Sequence, residues 1–114
     1  MTALGKAAKG LQTFTSDVAQ GFFEITHNGF AVVGEIDAHT APDISKAVAR
    51  ATGASLEIDL SGVDFVDSSG LRALIEAHQR FEANGGSLTL VRPSAVVARL
   101  FDISGVGDYL NVAD

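Results

Sequence analysis

One stretch restricts the possible folds of this chain more than any other: a short alternating strand that runs into a long amphipathic helix between Leu56 and Arg80. Leu56-Glu57-Ile58-Asp59-Leu60 alternates apolar and acidic residues at period two, as a strand does when one face lies on a core. Ser61-Gly62 then punctuates it. Beyond Asp67-Ser68-Ser69-Gly70, the residues Leu71, Leu74, Ile75, His78 and Phe81 recur at spacings of three and four. They line one face of a helix, and Arg72, Glu76, Gln79 and Arg80 fall away from it. The helix should start at the serines, because Ser and Asp side-chain oxygens accept hydrogen bonds from the orphaned amides of a first turn. Asn84-Gly85-Gly86 should end it, since Gly tolerates the left-handed conformation of a C-cap.

Further elements surround this corner. Phe22 to Thr26 and Phe30 to Ile36 read as strands paired antiparallel across a break at His27-Asn28-Gly29. Thr40-Ala41-Pro42-Asp43 opens a helix over 41–51, with Thr40 a plausible cap and Ile44, Ala47, Val48 and Ala51 on its inner face; Thr52-Gly53 closes it. The central strand and helix take 56–60 and 69–83. Leu88 to Val91 is another strand, Pro93-Ser94 starts a helix over 94–102 that Gly105 and Gly107 break, and 109–112 is a last edge strand. This order predicts an α/β fold: a mixed β-sheet of about four to five strands with helices mainly on one face, parallel after an antiparallel start. The expected core comprises Phe30, Val32, Ile44, Val48, Ile58, Leu60, Leu71, Leu74, Ile75, Leu90, Val97 and Leu100.

At 114 residues the chain suits one domain, over 21–114, preceded by a loosely ordered arm over 1–20 that shows no sustained periodicity. A formal net charge of -6 argues against nucleic acid and against an anionic membrane surface, and favours a partner with a basic face. The absence of cysteine removes disulfides, thiolate chemistry and cysteine zinc sites, and is compatible with a reducing cytoplasm. No apolar run approaches membrane-spanning length, and Lys6 and Lys9 interrupt the apolar residues of Met1 to Gly10, so a signal peptide is not expected. The expected location is cytoplasmic.

No catalytic constellation stands out. The G-x-S-x-G glycines of a serine hydrolase are missing around Ser68, as are both phosphate-cradling glycine patterns. His27, His39 and His78 lack the convergent partners a metal needs, so neither a metal nor any other cofactor is expected; His78 reads as a satisfied, partly buried histidine. Glu76 lies four residues after Arg72 and four before Arg80, a solvated ion-pair ladder. Ser68 and Ser69 serve as caps or first-turn residues, and Glu35 and Asp37 as solvated acids at a strand end, where Asp37 can also bond its own backbone.

Asp67-Ser68-Ser69-Gly70-Leu71 between strand and helix, with Gly34-Glu35-Ile36-Asp37 upstream and Arg99 to Val106 downstream, resembles the anti-sigma factor antagonists, the bacterial branch of the STAS family. The resemblance runs from about Phe22 to Val112. It implies a non-enzymatic phospho-switch in which the unphosphorylated protein binds an anti-sigma factor serine kinase and releases a sigma factor. Ser68 would be the phosphorylation site, with a phosphatase to reset it. Glu35, Asp37, Asp67, Ser68, Ser69 and Gly70 would form the partner-binding surface. Within it, Asp67 either caps the helix or orients the Ser68 hydroxyl, and Gly70 lets the partner backbone approach. The alternative that the same resemblance leaves open is a STAS adaptor or ligand-binding subunit of a transport or signalling assembly, never phosphorylated.

Overall fold

A computed structural model describes residues 23–26, 28–51 and 53–114. The expected arm over 1–20, Phe22, His27 and Thr52 lie outside the described residues. The elements follow in the order β1 (Phe23–Ile25), β2 (Gly29–Ile36), α1 (Ala41–Arg50), β3 (Ser55–Val66), α2 (Ser68–Ala83), β4 (Ser87–Val91), α3 (Ala95–Ser104), a 3-10 turn (Val106–Asp108) and β5 (Asn111–Ala113). One five-stranded sheet runs β1-β2-β3-β4-β5. The first pair is antiparallel and the other three are parallel. Strands laid down in sequence order and joined by right-handed crossovers carry their helices to a single face. Alternate residues of β2, β3 and β4, namely Phe30, Val32, Ile58, Leu60, Leu88 and Leu90, accordingly share one core with Ile44, Leu74, Val97 and Phe101 of the helices.

The central strand is longer than its alternating segment, and Ser61-Gly62 does not end it. Pairing with β2 steps from Ala31↔Asp59 to Val33↔Gly62 and from Gly34↔Val63 to Glu35↔Phe65, so β3 carries an extra residue at each step. These are β-bulges, which break the period of two without ending the ladder. At the first, the Ser61 amide donates to Asp59 Oδ1 at 2.8 Å. There too the Ser94 amide donates to Leu60 O at 3.2 Å, and at the second bulge Val63 gives its carbonyl to the Ser94 hydroxyl. Ser94 Oγ also accepts from Val97 N at 3.3 Å, so the residue that caps α3 braces the irregular part of β3.

Helix α2 is rotated from the expected face. Leu74 and Phe81 are buried as expected, but so are Gly70, Ala73 and Ala77, while Leu71 and Ile75 are only half-buried. Small residues let a helix approach its neighbours closely, and a pattern weighted by side-chain size underrates them. The same happens in α3, where Phe101 is buried and Leu100 rests half-buried at the margin. The end of α2 is a Schellman motif: Gly86 N donates to Phe81 O and Gly85 N to Glu82 O, with Gly85 left-handed at φ 78°. Gly105, at the same φ, ends α3, whereas Gly107 sits inside the 3-10 turn that displaces the last strand from 109–112 to 111–113.

Leu74 is fully buried at the centre of this core. Leu74→Ala is therefore expected to cost on the order of 2 to 5 kcal/mol in a denaturant titration; a loss below about 0.5 kcal/mol would place the helix elsewhere.

Candidate functional site

The corner between β3 and α2 is built from backbone contacts. The β2–β3 ladder ends at Ile36↔Val66, and one residue further the Asp67 amide donates to Ile36 O at 3.1 Å. Asp67 is the N-cap of α2: its carboxylate accepts from Gly70 N at 2.8 Å. The capping role is thus filled by Asp67, and its alternative role as an orienter of Ser68 has no supporting contact among the described residues. Ser68 and Ser69 occupy the first two helical positions. Ser68 is exposed, Ser69 half-buried, and no hydrogen bond holds the Ser68 hydroxyl among the described residues.

Gly70 has a different reason from the one its sequence suggested. It is buried, and a Cβ at this position would overlap the Ile36 carbonyl and side chain. The backbone that approaches closely is the chain's own β2, so Gly70 shapes the corner from inside and is not open to a partner.

Glu35 and Asp37 stand on the adjoining strand end. Glu35 is exposed and pairs in register with Phe65, which is itself 47% exposed. Asp37 closes the loop to α1: Oδ1 accepts from His39 N at 3.0 Å and from Thr40 N at 3.1 Å. Thr40 answers it. Its Oγ1 accepts from Asp37 N at 2.9 Å and donates to Glu35 O at 2.9 Å. Thr40 therefore stands at the cap position of α1 without capping it by side chain, because its hydroxyl is taken up by the loop. This reciprocal Asp-Thr pairing was missed from the sequence, although Asp and Thr three apart after a strand is the available signal. The Thr40 amide, with the His39 amide and the Thr40 hydroxyl, holds the Asp37 carboxyl below its ordinary value against a smaller desolvation effect.

The loop and the helix start share an open groove lined by Ala38, Ala41 and Pro42 on one side and Ser69, Arg72 and Glu76 on the other. Arg72 Nε lies 3.4 Å from Glu76 Oε2, both side chains well exposed; the second rung of the expected ladder, Glu76 to Arg80, is not formed. Among the described residues no general base is hydrogen-bonded to Ser68. His39 is exposed on the loop, and His78 is buried under the edge of Tyr109 with ring centroids 5.1 Å apart. His78 is not satisfied as expected: its Nδ1 has no hydrogen-bond partner and its Nε2 is 3.9 Å from Glu82. Among the described residues no group of three or more His, Cys, Asp or Glu is placed to hold a metal ion. No helix among them is long and apolar enough to cross a membrane.

Comparison with known proteins agrees with this architecture. The STAS domain family model matches residues 25–114. The anti-sigma-B factor antagonist of Bacillus subtilis is 37% identical over 99 residues, covering 85% of this chain and 88% of that protein. The structure of the anti-sigma factor antagonist SpoIIAA in its unphosphorylated form superposes with a TM-score of 0.61 at 25% identity, over 81% of this chain and 86% of that one. The phosphorylated form of the Bacillus cell fate determinant SpoIIAA gives 0.54 at 25% identity, over 81% and 89%.

Two outcomes are expected from this geometry. Gly70→Ala should push α2 away from the end of β2 and lower unfolding free energy by about 1 to 3 kcal/mol, measured by urea denaturation; an unchanged midpoint would mean that the Ile36 approach is not rigid. The Asp37 carboxyl, its folded pKa depressed, contributes loop stability that is present above its ordinary value of 3.8 and is lost as pH falls through the lower folded value. In an NMR titration the His39 and Thr40 amides should therefore move together with the Asp37 carboxyl carbon, with a midpoint below 3.8. Amides that stayed still through that titration would count against the loop closure.

Proposed function

The chain belongs to the STAS domain family, and we propose that it acts there as an anti-sigma factor antagonist whose working surface is the Ser68 corner. Unmodified, it docks on an anti-sigma factor that is a serine kinase, occupies it, and so frees a sigma factor for transcription. The kinase ends the contact by phosphorylating Ser68. The serine oxygen bonds to the γ-phosphorus of ATP, the bond to ADP breaks, and the serine proton passes to a base of the kinase. A phosphatase returns the serine by hydrolysis, with inorganic phosphate as the second product. The protein is a substrate and a ligand in this cycle, catalyses nothing itself, uses no cofactor and works in the cytoplasm. Glu35, Asp37, Asp67 and Ser69 surround Ser68 on the docking surface, Asp37 chiefly by holding the loop in shape.

The observation that carries this reading is that Ser68 is exposed at the first position of α2 while Asp67 does the capping. A kinase can take up the serine hydroxyl without dismantling a hydrogen bond of the fold. A phosphate there adds a charge of about -1.5 to -2, which the positive end of the helix tolerates. On docking, the same charge next to Asp67 must be desolvated, and that weakens the complex.

Ser68→Ala should leave the fold and the affinity for the cognate kinase largely intact and abolish phosphorylation. Ser68→Asp and the phosphorylated protein should bind at least about tenfold more weakly, or about 1.4 kcal/mol, with melting temperatures hardly changed. Titration calorimetry and a melting curve of all four forms check this. Equal affinities throughout would favour the unphosphorylated adaptor, and a loss of binding that tracks a loss of melting temperature would make Ser68 a structural residue only.

A further inference from the structure

Three charged residues stand at intervals of four along the exposed side of α2 behind Ser68: Arg72, Glu76 and Arg80. The first two are paired, and the Arg80 side chain has no ion pair among the described residues. The pair that forms has its base N-terminal to its acid, which is the weaker order on a helix, because the helix field favours acids toward the start and bases toward the end. Ser68 lies four residues before Arg72, on the same helical column. Long side chains on a helix commonly lean back over the preceding turn, so a rotamer reaching Ser68 is open to Arg72 once it leaves Glu76. With side chains 80% and 60% exposed, neither Arg72 nor Glu76 is locked by packing.

We infer that Arg72 is the intramolecular acceptor of a phosphate on Ser68: on modification it leaves Glu76 for the phosphate, and Glu76 passes to Arg80. This rests on the reading of Ser68 as the modified residue. Both new pairs have the acid first, so a weak reversed pair is exchanged for two in the favoured order. The guanidinium also suits the phosphate, since its planar donors bind two oxygens at once. The alternating charges behind Ser68 therefore act as a relay that carries the modification along two further turns of α2. That changes the charge pattern facing the groove shared with α1, where Arg72 and Glu76 stand. The switch is read as a rearranged surface as well as an added charge.

The test uses phosphoserine installed at position 68 during translation, so that no kinase is needed. The phosphate of an unassisted phosphoserine titrates near pH 6. Followed by phosphorus NMR, the wild-type midpoint should lie lower than that of Arg72→Gln by about 0.3 pH units or more. Arg72→Lys should recover part of the difference, having the charge without the planar donors. His39, the exposed histidine of the adjoining loop, is present in every form and cancels from the comparison. The Arg72 Nε resonance should move on phosphorylation, and the Arg80 Nε resonance with it. Equal phosphate midpoints in wild type and Arg72→Gln, with both folded by their amide spectra, overturn the inference. A still Arg80 resonance overturns the relay. Failure of the functional reading looks different: the unmodified protein takes up no phosphate from kinase and ATP, while the installed phosphoserine still reports on Arg72.

Discussion

The Ile36 carbonyl is the contact on which the rest of the corner depends. It ends β2, accepts the Asp67 amide at 3.1 Å, and fills the space that a Cβ on residue 70 would need. A buried carbonyl needs a donor, and its partner here is the last amide before the helix. That fixes how far α2 starts from β2 and forces its third residue to be glycine. Both strand ends then point their next residues, Asp37 and Asp67, out of the sheet side by side. Two of the three stretches that carry the family resemblance, Gly34 to Asp37 and Asp67 to Leu71, meet here through backbone geometry, and no side-chain bond between them is required.

A strand that must deliver this corner cannot be regular over its whole length. β3 has 12 residues against 8 in β2: Ser55 and Leu56 precede its pairing with β2, and two bulges absorb the remaining excess. Each bulge leaves backbone groups outside the ladder, and each has a side chain that answers them. The Asp59 carboxylate takes the Ser61 amide at the first, where the Ser94 backbone amide also donates to Leu60 O, and the Ser94 hydroxyl donates to Val63 O at the second. Burial raises the Asp59 carboxyl, but the Ser61 amide and hydroxyl with the Arg92 guanidinium at 2.8 Å more than offset it, so that its pKa is lowered. Arg92 reaches that carboxylate from a left-handed backbone, φ 49°, unusual for a residue with a side chain. Its own amide is held by Ala113 O at 2.8 Å. The side of the sheet away from β2 is thus braced by α3 and β5.

How much of this was legible in the sequence depended on whether the determinant was local. Strand order, the Asn84-Gly85-Gly86 stop and the buried Leu74 follow from short-range period and turn chemistry, and they stand where expected. Ser61-Gly62 misled because a bulge and a strand end look alike until the partner strand is known. Leu71, Ile75 and Leu100 were expected deeper than they lie, because apolar size was read as burial and the small residues that permit close packing were discounted. Gly70 and Thr40 were noticed for the wrong reasons. One answers to a carbonyl 34 positions earlier and the other to a loop whose shape only the fold defines.

The division of work between Asp67 and Ser68 bears directly on whether a covalent switch can sit at this place. An N-cap hydroxyl is worth about 1 kcal/mol to a helix. Had Ser68 been the cap, a kinase would have to compete with the helix for the same oxygen, and modification would change the fold and the surface together. With the cap on Asp67, the Ser68 oxygen contributes no hydrogen bond among the described residues. The two effects separate. Free energy from a charge added there falls on whatever docks against the corner, because the unbound domain can leave that charge in water at the favourable end of a helix dipole. The fold therefore need not be marginal for a switch placed at Ser68 to be sensitive.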